Sequence, residues 1–293
     1  MRHTDVRTGV FCACAMRWIG DNPNAITDEH NDADNNGCQR TENIIMYQFA
    51  NKVAVVTGAG RGIGKVITTD LIAEGVKVYI PDLDLERAKA TAKLLGPSVI
   101  PAELDVTNAS AVKALFRQID GETGGIDFLV NCAGGYKPLV PTLEITEDEY
   151  DMVLDSNLKG TFLCCQAAMP QMIRKKSGAI VNFSSVAGRQ TSPALGSHYT
   201  AAKAGVLGLT RHLAKEFGHA GIRVNAIAPG TTDGERVSTL LTPADRTRQL
   251  ASIPLGRFAT EQDMSRVVLF LLSDEARYIT GATIDVNGGM LTI

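Results

Sequence analysis

From Lys52 onward, short apolar and often β-branched runs alternate with longer stretches whose apolar positions recur at helical spacing. Continuous apolar strands joined through helices are typical of a parallel sheet that is covered on both faces. The predicted strands are Val53–Thr57, Val76–Ile80, Val99–Leu104, Ile126–Asn131, Ala179–Phe183, Arg223–Ile227 and Thr283–Val286. The predicted helices lie at roughly 62–74, 84–95, 108–122, 147–175, 197–218 and 261–273. The pattern predicts one α/β domain at 49–293, a doubly wound parallel sheet of the Rossmann type.

Residues 1–48 show neither periodicity, and the polar run Asp28–Asn36 is unsuited to packing. We expect this segment to be a disordered N-terminal extension, with Met46 as the natural start. A weak apolar patch at Phe11–Ile19 follows Arg2 and Arg7, but it is a poor match to an export signal.

Composition excludes several classes of function. The net charge is −3 and the isoelectric point about 6.0, so neither nucleic acid nor a membrane surface is an expected partner. Apolar runs such as Val267–Leu272 are far too short to span a bilayer. Six cysteines in 293 residues indicate reduced thiols and a cytoplasmic protein. The histidines form no H-x-x-x-H pair, and we expect no metal site.

A glycine-rich loop, TGAGRGIG at 57–64, joins the first strand to the first helix. Glycines let backbone N–H groups approach a pyrophosphate, and the helix N-terminus favours its negative charge. The alternative is a turn that serves only close strand-helix packing. We favour phosphate binding because of the position between strand and helix.

Asp82 follows the second strand, where a carboxylate can accept hydrogen bonds from the adenosine ribose and repel a 2′-phosphate. This favours NAD over NADP. Asp82 could instead cap the next helix, although Asp84 could also fill that role. Arg61 favours the opposite cofactor, since a guanidinium could pair with a 2′-phosphate.

Tyr199 and Lys203 are four residues apart, and on a helix they share one face. A neighbouring ammonium favours the phenolate and lowers the tyrosine pKa toward the working pH. By itself this spacing is common on solvated helices.

From Lys52 to about Gly289 the chain resembles the classical short-chain dehydrogenase/reductase family, because it has a series of that family's motifs in the same order. The matching motifs are TGAGRGIG at 57–64, Leu104-Asp105-Val106, Asn131-Cys132-Ala133-Gly134, Ser156-Asn157-Leu158, Ser184-Ser185, YTAAK at 199–203, Pro229-Gly230 and Ile279-Thr280-Gly281.

The resemblance implies that Ser185 binds the substrate oxygen, Tyr199 is the general acid/base, Lys203 assists it and binds the nicotinamide ribose, and Asn157 holds a relay water. Ser184 competes with Ser185, but spacing in the family favours Ser185. His198, next to Tyr199, is expected to be solvated or packed rather than catalytic. The residues expected to bind the cofactor are Gly58, Gly60, Arg61, Gly62, Ile63, Gly64, Asp82, Asp105, Val106, Asn131, Ala133, Gly134, Tyr199, Lys203, Pro229, Gly230 and Thr232.

Two positions depart from the family pattern. Cys132 replaces a usual asparagine, so that a hydrogen bond in the central sheet could be missing or replaced. Gly234 stands where many members have a threonine that contacts the carboxamide. Thr231 or Thr232 is the expected substitute, and we choose Thr232.

Substrate choice is expected to depend on segments 135–143, 189–198 and 231–250. Thr242 and Pro243 predict the start of a short lid helix. A largely apolar pocket is predicted from Tyr136, Leu139, Val140, Leu195, Val237 and Leu240.

We expect a secondary alcohol or ketone as substrate, NAD as cofactor and a homotetramer assembled through helices 147–175 and 197–218. One alternative is an NADPH-dependent 3-oxoacyl-(acyl-carrier-protein) reductase. Against it, Ala220 stands where such enzymes usually have a basic residue. An alternative of another class is a nucleotide-binding regulator without catalysis.

Overall fold

The computed structural model describes residues 47–135, 140–191, 195–234, 237 and 241–293. By internal contacts the chain divides into Met1–Ile44 and Ile45–Ile293, and every described residue belongs to the second unit. The predicted extension lies outside the described residues except for its last two positions, and so do Met46, Tyr136, Leu139 and Leu240.

The described residues form a seven-stranded, entirely parallel sheet in the order β3-β2-β1-β4-β5-β6-β7. The strand order reverses between β1 and β4, where ligands bind in open sheets of this kind. The strands are β1 Val53–Thr57, β2 Lys77–Asp82, β3 Val99–Glu103, β4 Phe128–Asn131, β5 Gly178–Phe183, β6 Ile222–Pro229 and β7 Thr283–Val286. The predicted fold class is confirmed.

Helices connect the strands and cover both faces of the sheet. They are α1 Gly62–Ala73, α2 Leu85–Leu95, α3 Ala109–Thr123, α4 Glu147–Leu154, α5 Gly160–Lys175, α6 Ser197–Phe217, α7 Pro243–Ala251 and α8 Glu261–Leu272.

The two faces of β1 belong to two different apolar clusters. Ala54 and Val56 pack with residues of α1 and α8, such as Leu71 and Val268. Val53 and Val55 point to the opposite face, where α3, α5 and α6 supply the buried side chains. Because side chains alternate between the two faces of a strand and both faces are covered here, every residue of β1 is buried.

The helical segment predicted over 147–175 is divided in the structure. α4 ends at Leu154, Asp155–Lys159 form a π-helical turn, and α5 begins at Gly160. A π turn has one residue more than an α turn and occurs frequently at functional sites. The prediction of one uninterrupted helix is wrong, and Asn157 lies within the interruption.

Aromatic packing begins before the predicted domain boundary at residue 49. Tyr47 stacks on Phe49 with ring centroids 5.2 Å apart, and Phe49 contacts Phe128 edge-on at 4.9 Å. Phe49 is 2% exposed, so this short segment closes one end of the core next to β4.

Candidate active site

A cavity of about 980 Å³ opens at the carboxyl ends of the strands. Residues that follow six strands, β1 to β6, line it, so the sheet itself brings together positions far apart in sequence. The predicted site residues in the lining are Gly58, Arg61, Gly62, Ile63, Gly64, Asp82, Asp105, Val106, Ala133, Gly134, Asn157, Ser185, Tyr199, Lys203, Pro229, Gly230 and Thr232.

Glycine is required in the loop for two separate reasons. A Cβ on Gly58 would lie 2.9 Å from Cα of Ala133, and one on Gly64 would lie 2.8 Å from Cα of Ala59. Gly62 is less crowded, but its φ of 59° favours glycine. Close packing thus explains why positions 58 and 64 are glycine. At Gly62, the first residue of α1, the reason is instead the positive φ of the turn.

Gly60 and Asn131 are predicted cofactor contacts that do not line the cavity. The N–H of Gly60 donates to Oδ2 of Asp82 at 3.0 Å, and Thr91 Oγ1 donates to its carbonyl at 2.8 Å. Asn131 is buried and its Nδ2 donates to Asn182 Oδ1 at 2.8 Å and to Cys165 Sγ at 3.2 Å. Both residues form hydrogen bonds between the elements that surround the cavity, and neither lines the cavity itself.

The carboxylate of Asp82 is buried and accepts three hydrogen bonds from the protein. Besides Gly60, the donors are the N–H of Asp84 at 3.1 Å and the guanidinium of Arg87 at 2.6 Å. Asp84 caps α2 by accepting from the N–H of Arg87 at 3.0 Å. Asp84 therefore performs the capping role, and Asp82 faces the cavity.

The two adjacent serines have different partners. Ser184 is buried, and its hydroxyl donates to the carbonyl of Lys203 at 2.8 Å. Ser185 Oγ accepts from the N–H of Ala187 at 3.1 Å, which leaves its own proton available for another acceptor.

Tyr199 and Lys203 lie in the wall formed by α6, and both are buried. The ammonium of Lys203 is 5.6 Å from the centroid of the tyrosine ring and donates to the carbonyl of Phe183 at 2.8 Å. That hydrogen bond fixes the charge on the side of β5. The predicted sharing of one helix face is confirmed.

Asn157 is fully buried within the π turn. Its Nδ2 donates to the carbonyls of Gly135 at 2.7 Å and Val153 at 2.9 Å. Its Oδ1 accepts no hydrogen bond from the described residues, and a Cβ on Gly134 would lie 2.5 Å from it. The turn thus presents a buried acceptor next to the loop that follows β4.

Residues of α7, where the sequence predicts a lid, line part of the cavity. Thr242 caps α7 through the N–H of Asp245, with Pro243 in the first turn, as predicted. The guanidinium of Arg246 pairs with both oxygens of Asp233 at 3.1 and 2.9 Å and lies 4.7 Å from the ring centroid of Phe258. Arg246 thereby holds down the pKa of Asp233.

Comparison with known proteins identifies the family. A family model described as enoyl-(acyl carrier protein) reductase matches residues 58–291. The 3-oxoacyl-(acyl-carrier-protein) reductase FabG of Staphylococcus aureus is 42% identical over 243 residues, which cover 82% of this chain and 98% of the relative. The chain belongs to the classical short-chain dehydrogenase/reductase family.

Two further members of the short-chain dehydrogenase/reductase family show the range of similarity. Galactitol 2-dehydrogenase of Agrobacterium fabrum is 40% identical over 250 residues, covering 82% of this chain and 97% of the relative. The crystal structure of 3-oxoacyl-(acyl-carrier-protein) reductase from Brucella melitensis has a TM-score of 0.79 and 34% identity, and the match covers 84% and 93% of the two chains. The protein is an oxidoreductase acting on CH–OH or keto groups, in a family that uses NAD or NADP.

The residues present in this short-chain dehydrogenase/reductase fit a nicotinamide dinucleotide. Gly62 has no side chain to shield the N-terminus of α1, where a phosphate could approach, and a Cβ there would lie 3.5 Å from Oε1 of Glu261. Asp82 lies in the same lining, where it accepts from the N–H of Gly60 in the loop, and the buried Tyr199 and Lys203 lie in the wall formed by α6.

Several lining residues of this short-chain dehydrogenase/reductase were not anticipated from sequence. The position of Arg87 in the first turn of α2 could have been inferred locally, since it follows the capping residue Asp84 by three positions. The position of Glu261 could not, because only the fold brings α8 beside α1. Leu83, Met152 and Val153 were also not anticipated, whereas Thr231, Asp233, Leu241, Asp245, Arg248 and Gln249 fall in the segment 231–250 that was expected to select the substrate.

The part of the cavity of this short-chain dehydrogenase/reductase that is predicted to bind the substrate has a more polar lining than the sequence suggested. Leu195 and Val237 line the cavity, whereas Val140 does not. Asp245, Arg248 and Gln249 of α7 add polar groups at the lid. His198 is 2% exposed and lies 3.5 Å from Oε1 of Glu149, outside the lining, so it is packed rather than solvated.

Within the described ranges, no group of three or more His, Cys, Asp or Glu side chains is arranged to hold a metal ion. None of the described helices combines the length and apolarity needed to cross a bilayer.

Proposed function

We propose that the protein is an NAD-dependent dehydrogenase/reductase that interconverts a secondary alcohol and a ketone, with Tyr199 as general acid/base. The observation that carries this proposal is the buried pair in the cavity wall, with the Lys203 ammonium 5.6 Å from the centre of the Tyr199 ring. A phenol placed in this way can take or give the proton without a metal.

A bound nicotinamide would supply the hydride acceptor or donor. When a hydride leaves the carbon, the hydroxyl proton passes to the phenolate oxygen of Tyr199, and the reverse reaction returns it to the carbonyl oxygen. The ammonium of Lys203 favours the phenolate, and burial reduces the screening of that attraction. Its hydrogen bond to Phe183 keeps the charge in place.

Ser185 and Asn157 complete the proposed machinery. Ser185 has its hydroxyl proton available to donate to the substrate oxygen, because its oxygen already accepts from Ala187. Asn157 Oδ1 has no partner among the described residues, which supports a role in holding a relay water.

Asp82 supports NAD as the cofactor. Its three protein donors leave carboxylate lone pairs for a ribose hydroxyl, whereas a 2′-phosphate would meet a negative charge. Arg61 and Arg87 also line the cavity, and their positive charges favour the 2′-phosphate of NADP. The charge of Arg87 is offset by its ion pair with Asp82 at 2.6 Å, and we therefore infer that NAD is preferred.

A 3-oxoacyl-(acyl-carrier-protein) reductase that uses NADPH is the second candidate, because the FabG relative is 42% identical. Two residues oppose it. Asp82 disfavours NADPH, and Ala220 packs against the core at the position where the family resemblance implies a basic residue that would meet the carrier protein.

We also infer a cytoplasmic location and a homotetramer. Among the described residues, Cys164 and Cys165 are buried thiols outside any disulfide, as expected in a reducing compartment. The tetramer is an expectation from the family.

The test is a screen of secondary alcohols with NAD and NADP, and of ketones and a 3-oxoacyl thioester with NADH and NADPH, followed at the nicotinamide absorbance. Turnover of alcohols or ketones with an NAD preference supports the proposal. Strong NADPH preference with the thioester would establish the second candidate instead.

Tyr199→Phe distinguishes an enzyme from a nucleotide-binding regulator. We expect the variant to bind the cofactor normally but to lose about 10²–10⁴-fold in turnover, because the proton acceptor is gone. If the wild type binds NAD but turns over none of the substrates, and the variant behaves identically, the regulator is the better description.

A further inference from the structure

Glu261 places a carboxyl group beside the glycine-rich loop. It is the first residue of α8, directly after the capping residue Thr260. Its Oε1 is 3.5 Å from the position of a Cβ on Gly62 and 3.4 Å from that on Gly234. Since neither glycine has a side chain to separate them, the carboxyl group lies between the loop and the segment after β6, in the lining of the cavity.

The charged groups around Glu261 only partly balance its carboxylate. Burial raises the pKa of Glu261, and Lys65 of α1 opposes that rise. Arg61 lies at the start of the same helix and lines the cavity. On α8 itself, Asp263 is paired with Arg257 at 2.6 Å.

The lid segment contributes two further ion pairs next to this region. Asp233 is paired with Arg246 at 2.9 Å, and Asp245 lies 3.5 Å from Arg248. Asp70 of α1 accepts hydrogen bonds from Gln262 and Ser265. These acidic groups have partners of their own, and so does Asp82, which accepts from the N–H of Gly60 and from Arg87. Glu261 is therefore the titratable carboxyl beside Gly62 that a phosphate at the loop would meet.

We propose that Glu261 sets the affinity for the dinucleotide by placing a titratable carboxyl beside the pyrophosphate. The inference rests on the proposed function, since it needs a dinucleotide in this cavity. A neutral carboxyl can donate a hydrogen bond to a phosphate oxygen, whereas an ionised one repels it. Binding therefore takes up a proton at Glu261.

The direction of the pH effect follows from this coupling. The bound pyrophosphate raises the pKa of Glu261 above its value in the free protein. Full affinity is present below the free-state pKa and is lost as the pH rises through the bound-state pKa. The same repulsion speeds release of the cofactor at neutral and higher pH.

The test compares the wild type with Glu261→Gln by titrating NADH fluorescence between about pH 5 and pH 8. Gln keeps the size and a hydrogen-bond donor but cannot ionise. We expect the wild-type Kd to rise about three- to tenfold relative to that of the variant across this range, as one charge repulsion of about 1 kcal/mol predicts. Titration of Tyr199 and Lys203 is common to both proteins and cancels in the ratio.

Glu216→Gln is the matched control, since Glu216 is half exposed on α6 and outside the cavity lining. It should follow the wild type at every pH. Lys65→Gln provides a second test in a protein that retains Glu261: it removes the charge that lowers the pKa of Glu261, so the loss of affinity should shift to higher pH.

Parallel pH curves for the wild type and E261Q would overturn the inference while leaving the proposed function intact. Absence of NADH binding by both proteins would overturn the proposed function and this inference together.

Discussion

Ser184 and Ser185 show how two identical neighbours acquire different tasks. The hydroxyl of Ser184 is used in tying β5 to α6 through the carbonyl of Lys203, whereas Ser185 keeps its proton for the cavity. Hydrogen-bond partners, rather than residue type, separate a structural group from a candidate catalytic one.

Substitution of each serine by alanine should separate these tasks. Ser185→Ala removes the donor to the substrate oxygen, and we expect turnover to fall about 10²–10³-fold with little change in stability. Ser184→Ala should instead lower the free energy of unfolding by about 1 kcal/mol and leave turnover within a few-fold. Steady-state kinetics and urea unfolding of both variants check this, and the reverse assignment would follow if Ser184→Ala were the inactive one.

Asp82 and Arg87 pair opposite charges in the part of the cavity where we propose that the adenosine ribose binds. Asp82→Ser would remove the carboxylate that repels a 2′-phosphate and would leave two guanidinium groups, those of Arg61 and Arg87, in the lining. We expect the ratio of kcat/KM for NAD to that for NADP to fall about tenfold or more, since a like-charge contact costs over 1 kcal/mol.

Kinetics with both cofactors provides the measurement, with Asp84→Ser as control because Asp84 caps α2. Serine also caps helices well, so the control should keep the ratio. An unchanged ratio in Asp82→Ser would remove Asp82 from cofactor selection.

At the level of elements, α8 is held at its start by a reciprocal cap. Thr260 accepts from the N–H of Asp263, and Asp263 accepts from the N–H of Thr260 at 2.7 Å while pairing with Arg257. These partners hold the pKa of Asp263 well below its ordinary value of 3.8. Its stabilising effect is therefore present above pH 3.8 and is lost as the pH falls through the lower folded-state pKa.

Asp263→Asn should cost about 0.5–1 kcal/mol of unfolding free energy at pH 7, a value that allows for solvent screening. The difference from the wild type should shrink as the pH falls below the ordinary aspartate range. Urea unfolding followed by circular dichroism at neutral and acid pH measures it. Asp148→Asn, on the exposed first turn of α4, is the control, and a pH-independent difference would contradict the assignment.

Much of the element order could be predicted because local patterns determine it. β1 and β7 have the predicted bounds, and Thr242 and Pro243 predicted α7 from cap chemistry alone. The interruption of 147–175 could not be predicted, since a π turn leaves helical composition intact. Contacts between distant elements, such as Glu261 beside Gly62, also leave no local signal in the sequence.

On the scale of the whole molecule, an apolar groove lies between the π turn, α5 and α6. It is lined by Leu154, Leu158, Phe162 and Leu209, with Asp155 and Lys159 at its edge. The side chain of Phe162 is 42% exposed in the single chain. The helices around the groove are those through which the family resemblance predicts tetramer assembly.

Phe162→Glu tests that assembly. If a second copy covers the groove, a buried carboxylate would be strongly unfavourable, and we expect the tetramer to dissociate into smaller species. Sedimentation velocity gives the mass, and circular dichroism confirms that the fold persists. Exposed Leu143→Glu, outside the groove, is the control, and unchanged mass in Phe162→Glu would exclude this face as the interface.

The π turn at Asp155–Lys159 changes the relative orientation of the side chains on α4 and α5. One extra residue rotates everything after it by about 100° relative to α4. The residues of α4 and those of α5 are therefore out of phase, although they follow one another without a loop. Asn157 in the turn is fully buried, whereas Phe162 of α5 is 42% exposed, so the proposed relay group and the proposed subunit contact lie on different sides of one helical segment and can be mutated separately.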